Sequence, residues 1–476
     1  MPMKWREKRK IRRKNRMLTN QLNSKLIALL EGIFGKERVK TSKEELISYS
    51  YDGFIKECLP EAVVFPLETE EIGQLVKLAN EHRFYLTSRG SGTNLCGSSV
   101  PKKGGVVVCF TKMEKILEIN TADRYAVVQA GKILEDLQKD LEGTGLFYPI
   151  DLGSSRIATI GGAVALNSGG MRALKYGVTR DYILGLKVVL PDGQVIKTGV
   201  LTKKNVVGYD LNSLFCGSEG TLGIVTEVTV KLMIKPKNTK VLLNHYQDIG
   251  NACTAVNEIM ASGIIPTALE LADNLVINAV EEYVKIGLKK DAAAFLLIEL
   301  TGDKEQVERD SKVIEAICKK NNPSRFEISK SAEESEKLWL ARKSGFGSMA
   351  RYKPVCIAED VTVPVSRLAE TITLIHELAK KHGVLQGLLA HAGDGNLHPH
   401  FLLDSKEEEN KADAIMDELM PFITGIGGTI SGEHGVGIGK KKFLHYQLEK
   451  SQLDLMRRIK KLFDPEGVLN PGSFLD

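Results

Sequence analysis

Between residues 84 and 235, short β-branched runs alternate with loops so rich in glycine that few folds accommodate them. The runs are "GGVVVCF", "YAVVQAG", "LGLKVVLPDG" and "GIVTEVTVKLM". Turn residues bound each one, so the segment reads as many short strands, an α+β pattern. Three glycine-dense stretches stand among them: "TSRGSGTNLCG" at 87–97, "IATIGGAVALNSGGMRALKYGVTRDYI" at 157–183 and "VVGYDLNSLFCGSEGTLGIVTEVTVKL" at 206–232. Glycine lets the first turn sharply and aim several N–H groups one way, which suits a phosphate. A Rossmann turn would read G-x-G-x-x-G and open a helix. Gly90, Gly92 and Gly97 are spaced otherwise, and the following "SSVPKKGG" cannot be helical. The residues alone leave an anion nest of another kind or an ordinary loop. In the second stretch Gly161 and Gly162 precede a small-residue helix that must pack close to a neighbour, with Gly169 as its expected C-cap. In the third, "GSEGTLG" reads as a tight loop feeding a buried strand.

The other 300 or so residues extend the pattern. A chain of 476 residues is too long for one core and predicts two or three domains. Before the glycine loops come a helical stretch, a short strand "AVVFP" and the helix "TEEIGQLVKLANEH", whose Ile72, Leu75, Val76 and Ala79 share one face. "MIKPKN" at 233–238 reads as a boundary. Beyond it long helices alternate with the strands "AAFLLIEL", "PVCIAEDVTVP", "GLLAHAG" and "NLHPHFLLD", which predicts an antiparallel α+β domain. A charged helix at 406–424, a glycine loop at 425–439 and a helix at 441–463 complete the chain. The expected division is a basic, disordered arm at 1–20, then units at 21–235, 236–405 and 406–476.

Charge separates the arm from the body. Residues 1–16 hold nine Lys/Arg and one acid, so a chain of net charge +5 leaves −3 on its other 460 residues. That balance excludes a nucleic-acid-binding domain. The arm reads as a membrane-surface tether, a transit-like segment, or sequence upstream of a true start at Met17, the reading we favour. No apolar run approaches the ~20 residues of a membrane span, so any membrane contact is peripheral. Seven scattered cysteines without a C-x-x-C pair argue against a disulfide scaffold, a zinc ribbon or an iron–sulfur cluster, and favour the reducing cytoplasm.

"HAGDGNLHPH" at 391–400 concentrates three of the chain's nine histidines. It reads as strand, tight turn, strand, with His391 and His398 facing one side of a hairpin. His398 and His400 are two apart and share a face; Asp394 and Asn396 read as turn formers. "SGEHGVGIGK" at 431–440 adds Glu433 and His434. Two histidines plus a carboxylate make a catalytic metal arrangement, although the H-x₆-H spacing alone favours a plain hairpin. Arg342 in "KLWLARKSGFG", read from residues alone, is a surface arginine on an amphipathic helix.

The three glycine stretches, in this order, resemble the FAD-binding domain of the vanillyl-alcohol-oxidase/PCMH flavoproteins. "HAGDGNLHPH" with "SGEHG" resembles the C-terminal half of the FAD-linked D-2-hydroxy-acid dehydrogenases, which include the glycolate oxidase large subunit, D-lactate dehydrogenase and D-2-hydroxyglutarate dehydrogenase. The resemblance implies a PCMH-type FAD domain, an antiparallel α+β substrate cap and a C-terminal helical segment returning to the flavin. It implies Arg89, Gly90, Ser91, Gly92, Thr93 and Asn94 on the pyrophosphate. Pro149, Ser154, Thr159, Gly161 and Gly162 would lie along the flavin. Gly169, Tyr176 and Gly177 would flank the adenosine, and Glu219, Gly223, Ile224 and Val225 the ring and ribose, with Asn470 closing over the flavin. No histidine occurs between 84 and 244, so FAD is expected to be non-covalent. His391, His398 and Glu433 would hold a divalent metal, zinc first and iron or manganese as alternatives.

The implied reaction takes a proton from the hydroxyl of a 2-hydroxy acid to His434 and a hydride from its carbon to flavin N5. Arg342 would bind the substrate carboxylate and His400 would stand beside the substrate. Ala358, where D-2-hydroxyglutarate dehydrogenases carry lysine, favours a small acid such as D-lactate or glycolate. Electrons would leave to an iron–sulfur subunit, an electron-transferring flavoprotein or quinone. Two alternatives are a non-redox alkylglycerone-phosphate-synthase-like protein, against which Glu433 argues, and an FAD-binding structural subunit. A metallohydrolase without flavin leaves the first 235 residues unexplained.

Overall fold

The computed structural model describes residues 22–475. The basic arm assigned to 1–20 lies outside them. The helix Thr69–His82 buries Ile72, Leu75, Val76 and Ala79, as its periodicity predicts. They pack against a four-stranded sheet in which Ala62–Val64, Val106–Cys109 and Leu86–Arg89 run parallel. A strand covered on both faces reads as an unbroken apolar run, which explains "VVVC", buried throughout. A five-stranded antiparallel sheet follows, in the order Ile116–Asn120, Tyr125–Gln129, Ile224–Lys231, Ile183–Val189, Val195–Gly199. Its central strand Ile224–Lys231 alternates buried and half-buried residues, the period-two signature of one covered face.

From Asn238 onward the chain builds one eight-stranded sheet. Its order is Arg325–Ile328, Asn238–Tyr246, Ala294–Gly302, Ala268–Asp273, Leu385–His391, Asn396–Leu403, Val355–Ala358, with Val361–Thr362 also paired to Asn396–Leu403. All its pairings are antiparallel. Helices Ile249–Ala261, Lys304–Lys320, Leu368–Lys381 and Glu409–Gly425 cover one face and share the largest core. Asn274–Val284 and Ala332–Lys343 cover the other.

Two local expectations are corrected. The helix expected over 441–463 is broken into Leu444–Gln447 and Lys450–Phe463. Glu449 is extended there, and its N–H donates to Gln452 Oε1 at 2.8 Å, which starts the second helix afresh. The helix Ile160–Leu166 is capped by Asn167 at φ 52°, not by Gly169. Asparagine tolerates the left-handed region better than other side-chain-bearing residues, so the turn closes two residues earlier. The C-terminal tail returns to the first half of the chain: Asn470 N donates to Leu86 O at 2.7 Å, and Phe463 meets Phe215 edge to face.

A buried ionic latch joins the halves. Arg172 Nε donates to Glu299 Oε1 at 3.0 Å, and Trp339 Nε1 to Glu299 Oε2 at 2.8 Å. Lys175 Nζ donates to Thr301 O at 2.5 Å on the same strand. Glu299 is 1% exposed. Removing one partner of a buried pair strands the other and costs about 3–5 kcal/mol. Glu299→Ala is therefore expected to lower unfolding stability by about 3 kcal/mol, the lower end of that range because Arg172 is partly exposed. Denaturant titration checks it; a loss under about 1 kcal/mol, the range of an exposed pair, would show that the latch is only a surface contact.

Candidate functional site

A cavity of about 690 Å³ lies between the halves. The glycine loops line one side; Arg342, His391, His398, His400, Glu433 and His434 line the other. The hairpin Leu385–His391/Asn396–Leu403 sets the register, with Leu389 opposite His398 and His391 opposite Asn396. Period two then turns His391, His398 and His400 to one face. The rings of His391 and His398 meet edge to face at 5.0 Å between centroids. The ring of His434 stacks on His398, also at 5.0 Å.

Glu433 Oε1 stands 3.4 Å from His391 Nε2 and 3.3 Å from His398 Nε2. One donor atom from each of these residues lies within 4.8 Å of the others. Behind them, Glu270 accepts from His391 Nδ1 at 2.8 Å, which leaves Nε2 facing Glu433. A carboxylate fixing the far nitrogen of a histidine is the usual support of a metal ligand. The field agrees: burial alone would lower the His391 pKa, but Glu270 and Glu433 outweigh it and push it up to about 10. Glu433 responds in reverse, burial opposing and the three histidines drawing it down to about 2. The point between Glu270 and Glu433 thus favours positive charge, which a divalent cation supplies. Donor types, spacing and field all fit such an ion.

Burial drives His434 below its ordinary range despite Asp360 and Glu433, so the ring is neutral near pH 7. Its Nδ1 is buried with no partner among the described residues, and its Nε2 lies 3.8 Å from Glu433 Oε1. Burial likewise lowers His400 to about 3; its Nδ1 is held 2.8 Å from His398 O, leaving Nε2 as the free nitrogen. Arg342 is not the surface arginine that helical spacing suggested. It is 9% exposed, and its Nε donates to Glu270 Oε2 at 2.5 Å. One carboxylate therefore orients both Arg342 and His391.

Gly90, Ser91, Gly92, Thr93, Asn94, Ser154, Thr159, Gly161, Gly162, Gly169, Glu219, Gly223, Ile224 and Val225 line the cavity, as does Arg89. Among the described residues, the N–H groups of Ser91, Gly92, Thr93 and Asn94 have no acceptor, so the loop presents donors as an anion nest would. A Cβ on Gly161 would stand 2.7 Å from Ala130 Cβ, the close approach expected of that helix. The cradle fits a dinucleotide whose phosphates meet the loop.

Other placements differ from expectation. The Arg89 guanidinium turns behind the loop, donating to Tyr51 O at 2.5 Å and Ser48 O at 3.4 Å and lying 5.7 Å from the Tyr49 ring. Desolvation holds its pKa below the ordinary value. Bound this way, Arg89 braces the loop from beneath. Glu219 spends its carboxylate on the N–H groups of Val436 and Gly437, at 2.9 and 3.0 Å. Asn94 braces its own loop, Oδ1 accepting from Ser98 N at 3.1 Å and Nδ2 donating to Ser99 Oγ at 2.8 Å. Pro149, Tyr176, Gly177 and Asn470 do not line the cavity. Tyr176 packs on Phe147, Gly177 closes a short helix at φ 83°, and Asn470 ties Ser98 O to Glu219 O through Nδ2. Asn396 is no turn former; it opens a strand and donates to Asp360 Oδ1 at 2.6 Å.

Sequence reading missed Glu270 and Asp360. Both carried a signal: a carboxylate inside an apolar strand such as "TALELAD" must be paired to be tolerated there.

The family described as "FAD linked oxidases, C-terminal domain" matches residues 235–474, and that described as "FAD binding domain" matches 60–199. The chain belongs to the FAD-linked oxidases. This FAD-linked oxidase is 44% identical over 460 residues to the glycolate oxidase subunit GlcD of Bacillus subtilis (strain 168), covering 96% of this chain and 97% of that one. It is 34% identical over 421 residues to the mitochondrial D-lactate dehydrogenase [cytochrome] of Arabidopsis thaliana, covering 88% and 74%. Among solved structures it resembles p-cresol methylhydroxylase with substrate bound (TM-score 0.80, 20% identity, 95% and 96% covered). It also resembles an alkyldihydroxyacetonephosphate synthase (TM-score 0.74, 19% identity, 96% and 86% covered). These two likenesses establish the PCMH-type fold and nothing about activity.

Proposed function

We propose that this FAD-linked oxidase oxidises a small D-2-hydroxy acid, D-lactate or glycolate, to the 2-oxo acid, with non-covalent FAD and a divalent ion. The observation that carries this is the convergence of His391, His398, Glu433 and neutral His434 on the wall facing the glycine cradle. Relatives named glycolate oxidase subunit and D-lactate dehydrogenase support the substrate class. We take residues 21–235 as the cofactor-binding unit, 236–405 as the cap and 406–476 as the returning segment.

When bound, the flavin supplies the hydride acceptor and the metal a Lewis acid at the substrate hydroxyl. His391 Nε2, His398 Nε2 and a Glu433 oxygen are the residues that would hold the ion. His434 Nε2 accepts the hydroxyl proton. Arg342, with Nε committed to Glu270, offers its two terminal nitrogens to the substrate carboxylate, a planar fork that a lysine cannot imitate. His400 borders the substrate through Nε2. Ala358, opposite His400 in the strand register, brings no cation for a second carboxylate. Electrons then pass to a partner; a relative named as a subunit supports a protein acceptor, with an iron–sulfur subunit, an electron-transferring flavoprotein and quinone as the candidates. Among the described residues no helix is long and apolar enough to cross a membrane. A cytoplasmic enzyme with at most peripheral membrane contact is the reading we adopt.

Anaerobic titration tests the proposal. The purified yellow protein is mixed with D-lactate, L-lactate, glycolate or D-2-hydroxyglutarate, with and without prior chelation. D-lactate or glycolate is expected to bleach the flavin, chelation to prevent it and added divalent metal to restore it. A flavin that no acid reduces, with or without metal, sinks the dehydrogenase reading in favour of a non-redox transferase or a structural subunit.

A further inference from the structure

Asp360 is wholly buried, and no substrate or cofactor role has been given to it. Its Oδ2 gathers four donors from one short loop. These are Ser431 Oγ at 2.7 Å and the backbone N–H groups of Gly432, Glu433 and His434 at 2.9, 3.0 and 2.9 Å. Its Oδ1 accepts from Asn396 Nδ2 at 2.6 Å. Asn396 opens the strand that carries His398 and His400, and lies opposite His391 across the hairpin. The Asp360 carbonyl accepts from the buried Lys440, whose Nζ is 3.6 Å from Oδ2.

A single carboxylate thus ties the two places that supply the ligands. One oxygen clamps the loop bearing Glu433 and His434; the other fixes the hairpin bearing His391 and His398. Three consecutive N–H groups aimed at one atom form an anion-binding concavity, here filled by the protein's own carboxylate. "SGEHGVGIGK" has four glycines in ten residues, so that loop has little conformational preference of its own. Gly432 also packs too tightly for a side chain: a Cβ there would stand 2.7 Å from Asn396 Nδ2.

We infer that Asp360 is the positioning residue that fixes Glu433 and His434 against the His391–His398 hairpin, setting both metal affinity and placement of the base. The inference rests on the proposed metal site. Ligand supports of this kind are worth about 10–100-fold in metal affinity or activity.

The test compares Asp360→Asn with the wild-type holoprotein. Zinc affinity is measured by competition with a chromophoric chelator, and turnover at saturating zinc separately. The flavin spectrum and thermal midpoint report folding. Asp360→Asn is expected to keep its flavin and bind zinc about 10–100-fold more weakly. At saturating zinc kcat stays depressed, because His434 is displaced as well. If Asp360→Asn fails to fold, Ser431→Ala and Asn396→Ala replace it, each removing one thread of the clamp. Asn396→Ala is then expected to weaken zinc binding while sparing kcat at saturating zinc, and Ser431→Ala to lower kcat. Wild-type zinc affinity and kcat in a folded Asp360→Asn, or in both replacement variants, overturn the inference. A wild-type protein that binds no divalent ion instead defeats the metal reading beneath it, so the two failures are distinct.

Discussion

Replacing His434 with glutamine is expected to lower the rate of anaerobic flavin reduction by about 10²–10⁴-fold, the range for losing a positioned general base, while flavin and metal content stay unchanged. The ring stacks on His398, its Nε2 lies 3.8 Å from Glu433 Oε1, and its Nδ1 meets no partner among the described residues. A structural histidine would have both nitrogens engaged; this one is buried, neutral and uncommitted. Glutamine fills similar space and retains hydrogen-bonding capacity but cannot take up a proton near neutral pH. Stopped-flow mixing with D-lactate separates this step from electron transfer to the partner, and atomic absorption with the visible spectrum certifies the two cofactors. A parallel Glu433→Gln variant is expected to lose metal and rate together. The contrast matters: His434 should affect chemistry at full occupancy, Glu433 occupancy itself. A loss below tenfold in a metal-replete His434→Gln protein would remove His434 from the base role.

Much of this arrangement is legible in the sequence because it follows from period and spacing. Two-residue periodicity turns His391, His398 and His400 to one side whatever the tertiary context, and 3.6-residue periodicity marks the buried stripe of Thr69–His82. The glycine stretches announce themselves since few other residues permit such close approach. What escaped is non-local. Arg342 reads as a surface arginine because helical spacing cannot reveal that Glu270, on a strand distant in sequence, will bury it. Asn396 reads as a turn residue because its partner, Asp360, lies 36 residues away in the link between the strands Val355–Ala358 and Val361–Thr362. The Arg89 guanidinium depends on two backbone carbonyls around Tyr51, which no motif encodes. The break at Glu449 is the local exception, where a cap formed with Gln452 overrides a continuous helical pattern.

Gly90 supplies the other large expected effect. A Cβ at this position would lie closer to Thr159 Oγ1 than any real Cβ contact, and 3.3 Å from Thr159 Cβ and Cγ2. Thr159 cannot yield freely, because its Oγ1 accepts from Gly162 N at 3.1 Å and caps the helix Ile160–Leu166. That helix is itself confined by the tight approach of Gly161 to Ala130. Gly90→Ala must therefore push the first glycine loop away from the second, opening the wall that both present to the cavity. The variant is expected to be purified colourless, with FAD affinity reduced at least about 100-fold, equivalent to roughly 2.7 kcal/mol. FAD titration followed by fluorescence quenching measures this directly. Thr159→Ala removes the obstructing oxygen at the loss of one cap, worth about 1 kcal/mol of stability. If steric conflict is the cause, Gly90→Ala/Thr159→Ala should bind FAD more tightly than Gly90→Ala alone, despite carrying the additional lesion. Equal or weaker binding by the double variant would mean that Gly90 serves the cofactor through its own backbone geometry, not through its approach to Thr159. Full binding by the single variant would separate this loop from the cofactor altogether.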